Sequence, residues 1–100
     1  MITTDITAEE LKERLNNGET PVIIDVREDW EYQEANIGGA ENIPLGTLPN
    51  RIEDLEHLKD AEVIVHCKSG ARSATAKAFL QQQGFKQVRN LLGGIIAYKG

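Results

Sequence analysis

The stretch Val63-Ile64-Val65-His66-Cys67-Lys68-Ser69-Gly70-Ala71-Arg72-Ser73 decides the fold. Its first half is short, apolar and β-branched, which suits a strand buried on both faces of a parallel sheet. Its second half is polar, contains a glycine, and runs into a helical pattern over Ser73–Gln83. Ala76, Phe79, Leu80 and Gln83 share one face of that helix. Gln83-Gly84-Phe85 then predicts a Schellman stop, with Phe85 folding back on Leu80.

Working outward, Pro21-Val22-Ile23-Ile24-Asp25-Val26 is a second run of the same kind, and Gln87-Val88-Arg89-Asn90-Leu91 a weaker third. Helical segments are expected between them, at Glu28–Glu34 and Leu48–Leu55. At the start, Thr7 and Glu10 form a capping-box pattern, and Ile6 can pack on Leu11 as a hydrophobic staple. Ala8, Leu11 and Leu15 fall on one face, so Thr7–Asn17 reads as helix, with Gly18 as its stop. Gly93-Gly94 reads as a turn that starts a final helix. Trp30 and Tyr32 are expected to pack on the sheet, and Glu28, Asp29, Glu31 and Glu34 to form a solvated helix face. Strands alternating with helices give an α/β fold with a mostly parallel sheet.

The 100 residues suit one domain, 1–100, with a radius of gyration of roughly 13 Å. Eleven basic against 16 acidic side chains give a net charge of −5, which argues against general nucleic-acid binding. The single cysteine, Cys67, can form neither an internal disulfide nor a multi-cysteine zinc site. No metal or cofactor is expected. No run approaches the roughly 18 apolar residues of a membrane span. The start shows no signal-peptide pattern, so the expected location is the cytoplasm, where a free thiol persists.

In open α/β sheets ligands bind at the carboxyl ends of the strands. Two segments lie there: Asp25-Val26-Arg27, and the Cys67–Ser73 loop. In the loop, Gly70 permits a positive φ, so successive N–H groups can converge into an anion-binding nest at the start of a helix. The helix dipole, Lys68, Arg72, Ser69 and Ser73 all favour negative charge there. Such surroundings lower a thiol's pKa and attract an anionic substrate despite the net charge. His66 adjoins Cys67, but adjacent strand residues point to opposite faces, so it is a poor base for the thiol. The chemistry that fits needs a thiolate and an anion cradle but little proton transfer, and sulfur transfer meets that description. The plainer alternative makes Cys67 an inert buried residue, His66 a core residue, and Asp25 and Arg27 a structural pair.

Four stretches together resemble a single-domain rhodanese of the thiosulfate sulfurtransferase family. They are Ile24-Asp25-Val26-Arg27 with Glu31-Tyr32; Ile37-x-x-Ala40-x-Asn42-Ile43-Pro44; His66–Ser73; and Leu92-Gly93-Gly94-Ile95-x-Ala97. The resemblance spans about Ile2 to Lys99. It implies a three-layer α/β/α fold with a central five-stranded, mostly parallel sheet. It implies Cys67 as nucleophile and persulfide carrier, and Lys68, Ser69, Gly70, Ala71, Arg72 and Ser73 as the substrate-binding loop. Asp25, Arg27 and Glu31 match positions that tie the fold together near the site. Four residues separate Cys67 from Arg72, as in active rhodaneses; related phosphatases and arsenate reductases use five, a wider cradle. Two departures stand out: Ala35-Asn36-Ile37 where Gly-His-Ile is frequent, and Tyr98 where Trp is frequent.

The expected function is transfer of a sulfane sulfur from thiosulfate or a similar small anion to a thiophilic acceptor. The alternative is a sulfur-carrier or regulatory module that exchanges sulfur with donor or acceptor proteins. Phosphatase or arsenate reductase activity is a lesser third.

Overall fold

A computed structural model describes residues 4–100. Four strands form one parallel sheet in the order β2-β1-β3-β4. They are β1 (Val22–Asp25), β2 (Ala40–Asn42), β3 (Glu62–His66) and β4 (Gln87–Asn90). The helices are α1 (Ala8–Asn16), α2 (Asp29–Glu34), α3 (Leu48–Arg51), α4 (Ala71–Gln82) and α5 (Gly94–Lys99), with a 3-10 segment over Glu53–Leu58 after α3. The Cα radius of gyration is 12.4 Å. No helix among the described residues is long and apolar enough to cross a membrane.

Strand alternation divides the core in two. Ile24, Val26, Val63, Val65, Cys67 and Val88 pack with Leu48, Leu55, Ala76 and Leu80. Ile23, Ala40 and Ile64 pack with Ile6, Leu11, Ile37 and Ile95 on the opposite face. Helices α3 and α4 therefore cover one face, and α1 and α5 the other, which is the expected α/β/α arrangement.

The terminators work as the residue types require. Thr7 and Glu10 form both halves of the capping box on α1. At the end of α4, Phe85 N–H donates to Leu80 C=O at 3.0 Å and Gly84 N–H to Gln81 C=O at 3.1 Å, the Schellman pair.

Four expectations change. The sheet has four strands among the described residues, not five. The fifth position is a single parallel bridge between Ile6 and Leu91, cut short because Thr7 opens α1 at the next residue. Strand β2, Ala-Glu-Asn, lacks the β-branched run that would announce it. Helix α4 starts at Ala71, two residues before Ser73, because Gly70 turns the chain with φ +118°. The Leu48–Leu55 helix is a short α-helix that tightens into a 3-10 segment.

Trp30 does not pack on the sheet. It is 64% exposed near the start of α2, a six-residue helix that buries none of its side chains. Tyr32 is half-buried and donates its hydroxyl to Ala40 C=O at 3.0 Å. The departures at Ala35-Asn36-Ile37 and Tyr98 are accommodated locally. Ile37 is buried, Asn36 caps Tyr32 C=O, and Lys12 lies 5.4 Å above the Tyr98 ring.

Candidate active site

Strand β3 delivers Cys67 to the carboxyl end of the sheet, on the face shared by Val63, Val65 and helix α4. Residues 67–70 make the turn, and Ala71 opens α4. The left-handed backbone at Gly70 curls the loop around the sulfur. Gly70 N–H donates to Cys67 Sγ at 3.1 Å, and the Ser73 hydroxyl lies 3.3 Å from it. The loop thus aims donors at one atom at the positive end of a twelve-residue helix.

Burial alone would raise the Cys67 thiol. Hydrogen bonds from the Ser73 hydroxyl and from the backbone N–H groups of Ser73, Gly70 and Ser69 together outweigh it, and bring the thiol below its ordinary value. The arrangement stabilises a thiolate by hydrogen bonds alone, with no base bonded to the sulfur among the described residues.

Helix α5 closes the loop from behind. Ile95 N–H donates to Cys67 C=O at 3.0 Å, and Ile96 N–H to Lys68 C=O at 3.2 Å. This contact requires Gly94. A Cβ there would sit 2.7 Å from the Cys67 carbonyl oxygen and closer still to that of Lys68. The glycine pair after β4 is therefore a close-approach device as well as a helix start.

Arg72, in the first turn of α4, is held by α2. Its two terminal nitrogens meet the Glu31 oxygens at 2.7 and 3.0 Å, a bidentate fork. That fork holds the Glu31 carboxyl down to about 2 and raises the guanidinium in turn. Lys68 and Ser69 are exposed on the loop.

Asp25 and Arg27 form a buried pair, with Arg27 Nη2 2.7 Å from Asp25 Oδ2 and side chains 5% and 0% exposed. Asp25 is in register with His66 and shares its face, away from the sulfur. His66 is fully buried: its Nε2 lies 3.6 Å from Asp25 Oδ2, and its Nδ1 3.2 Å from Cys67 C=O. Desolvation lowers the His66 pKa, against the pull of Asp25. Neutral and on the other face, it touches the backbone of Cys67 and not the thiol.

The structure brings Cys67 and Lys68–Ser73 into one loop and ties Glu31 to it through Arg72. It also adds a residue that the sequence reading passed over. Asn90, at the carboxyl end of β4, accepts from the Ser73 hydroxyl at 2.6 Å and donates to Gly70 C=O at 3.2 Å. Its own N–H donates to Asp5 Oδ1 at 2.9 Å, and Lys77 meets the same oxygen at 2.6 Å. The signal was present: the carboxyl-end rule that singles out the β1 and β3 ends applies equally to β4.

Residues 7–100 match the family described as the rhodanese-like domain. The chain belongs to the rhodanese-like family. A sulfurtransferase from Allochromatium vinosum is 39% identical over 94 residues, covering 94% of this chain and 86% of that protein. A Bacillus subtilis protein, YrkF, named as a candidate sulfur carrier, is 36% identical over 96 residues, covering 96% of this chain and 51% of that protein. The crystal structure of a rhodanese-like domain protein from Staphylococcus aureus superposes with a TM-score of 0.83 at 32% identity, covering 97% of this chain and 91% of that one. Within this rhodanese-like fold the resemblance motifs lie around one loop. The Asp25-Val26-Arg27 and Asn42 segments fix the end of β1, where Asn42 Nδ2 donates to the carbonyls of Asp25 and Arg27, both at 3.0 Å. The Gly93-Gly94 segment backs the Cys67 loop.

Proposed function

We propose that this rhodanese-like chain, acting as a single domain over residues 1–100, transfers sulfane sulfur through a persulfide on Cys67, with thiosulfate or a similar small anion as donor. The observation that supports this most is the ring of donors around Cys67 Sγ, which favours a thiolate, with no general base bonded to it among the described residues. The thiolate attacks the sulfane sulfur of thiosulfate. A bond from Sγ to that sulfur forms, the sulfur–sulfur bond of thiosulfate breaks, and sulfite leaves with its electron pair. A thiophilic nucleophile then takes the outer sulfur and returns Cys67 to the thiolate. No proton has to move in either step. A reducing compartment such as the cytoplasm suits a thiol of this kind.

Turnover of thiosulfate with cyanide to thiocyanate and sulfite tests the reading. The wild type should form thiocyanate and Cys67→Ser none; equal rates in the two would remove Cys67 from the reaction. Both Lys68 and Arg72 are assigned to hold the anionic donor. Arg72→Ala should weaken sulfur loading several-fold more than Lys68→Ala. Glu31 takes two of the five Arg72 N–H donors and fixes the guanidinium in place, which leaves three for an oxyanion, while lysine is a mobile point charge. A larger Lys68 effect, measured as the loading rate constant, would reverse that assignment.

A carrier role is the second reading, favoured by the sulfur-carrier name of the Bacillus subtilis relative. It predicts poor turnover with thiosulfate and cyanide but rapid loading by a persulfide-bearing donor protein. The four residues between Cys67 and Arg72 argue against phosphatase or arsenate reductase chemistry, which the resemblance associates with a wider cradle.

A further inference from the structure

Ser73 has one hydroxyl proton and three acceptors within reach: Asn90 Oδ1 at 2.6 Å, Gly70 C=O at 3.2 Å and Cys67 Sγ at 3.3 Å. A single proton serves one of them well at a time. The shortest contact goes to Asn90, not to sulfur. The orientation of the Asn90 amide is fixed by Gly70. Its Nδ2 donates to Gly70 C=O, and a reversed amide would set two carbonyl oxygens 3.2 Å apart. Ser73 is fully buried and Asn90 is 7% exposed, so bulk water does not compete for these groups.

We propose that Asn90 is a positioning residue for the nucleophile, giving the Ser73 proton a resting acceptor so that the Ser73-to-sulfur hydrogen bond is made only while Cys67 Sγ carries charge. In the thiol, Ser73 donates to Asn90. In the thiolate, the charged sulfur is the stronger acceptor and draws the proton across. In the persulfide, negative charge sits on the outer sulfur, and Ser73 returns to Asn90. The loop backbone keeps its place throughout, because Asn90 Nδ2 stays on Gly70 C=O and Asn90 N–H stays on Asp5. This assignment rests on Cys67 being the nucleophile.

The titratable and charged groups around this cluster are Arg72 with Glu31 from α4 and α2, Lys68 on the loop, His66 on β3, Arg89 on β4, and Asp5 with Lys77 behind Asn90. Asn90→Leu and Ser73→Ala change none of them, and the part of a shift that disappears without Ser73 reads the Ser73–Asn90 hydrogen bond.

The test is the rate of Cys67 alkylation by iodoacetamide against pH, on the full chain, with far-UV circular dichroism to confirm folding. Asn90→Leu keeps the branched outline of the side chain and removes the acceptor. Its midpoint should fall by roughly half a unit to one unit, the worth of one hydrogen bond gained by the thiolate. Ser73→Ala should raise the midpoint, and Asn90→Leu added to Ser73→Ala should then shift nothing. An unchanged or raised midpoint in Asn90→Leu overturns the proposal, as does an equal fall without Ser73. If Asn90→Leu does not fold, Asn90→Asp replaces it. Its carboxylate should raise the midpoint by about one unit or more, with a smaller rise when Ser73 is absent. An equal rise in both backgrounds overturns the assignment. Alkylation reads the thiol whether or not sulfur is transferred. A chain with these shifts that takes up no sulfur removes the functional reading and leaves the role of Asn90 standing.

Discussion

Replacing Arg27 with methionine is expected to cost about 3–5 kcal/mol of folding stability, measured by urea unfolding. The Asp25 carboxylate is wholly buried and takes hydrogen bonds from Arg27 Nε and Nη2 and from the Arg27 backbone N–H. Methionine fills much of the volume but leaves the carboxylate without its counter-charge. The other close group, His66, is disfavoured as a cation chiefly by its burial and is a poor replacement for the guanidinium. Arg27 also donates to Ala35 C=O at 2.7 Å, so the substitution releases the end of α2 as well. The double variant Asp25→Leu with Arg27→Met should lose less than the sum of the two single losses, because it removes the stranded charge. A loss below about 1 kcal/mol in Arg27→Met would mean that the pair is not desolvated as described.

Gly94→Ala is expected to damage stability and the site together. Its φ of +59° already disfavours any side chain. A left-handed residue costs roughly 1–2 kcal/mol before any clash is counted. The added methyl group would also press on the backbone carbonyls of Cys67 and Lys68, which cannot rotate away as a side chain could. The loop must move, and a displacement near 1 Å at a reacting group can cost about 10²-fold in rate. Gly18→Ala is the matched control. Gly18 has φ +85° but nothing within 4 Å of an added Cβ. It should show the backbone cost alone, with sulfur loading unchanged. Equal effects from the two substitutions would show that the α5–loop contact is not tight.

Much of this architecture is legible in the amino-acid sequence, for local reasons. The runs at Val22 and Val63 are apolar on both faces, and only a doubly covered sheet accommodates that. Thr7 with Glu10 and Gln83-Gly84-Phe85 are terminators whose geometry is written in residue type. Gly70 pointed to the anion nest, although its effect on the helix start was underestimated by two residues. What was illegible depends on distant partners. Ala40–Asn42 becomes a strand because β1 offers an edge, not because its residues prefer one. The link from Glu31 to Arg72 joins residues 41 apart in sequence. The carboxyl-end rule places Asn90 near the site, but its contact with Ser73 joins residues 17 apart, and no pattern announces that pairing. Trp30 differs: residue type suggests packing on the sheet, while its helix turns it outward.

Whether Cys67 carries sulfur is read from the intact mass of the protein after incubation with thiosulfate. The wild type should give a species heavier by one sulfur atom, located on the peptide containing Cys67. That species should return to the starting mass on addition of cyanide and be absent from Cys67→Ser. An unmodified Cys67 after exposure to thiosulfate and to a persulfide donor would contradict sulfur transfer through Cys67.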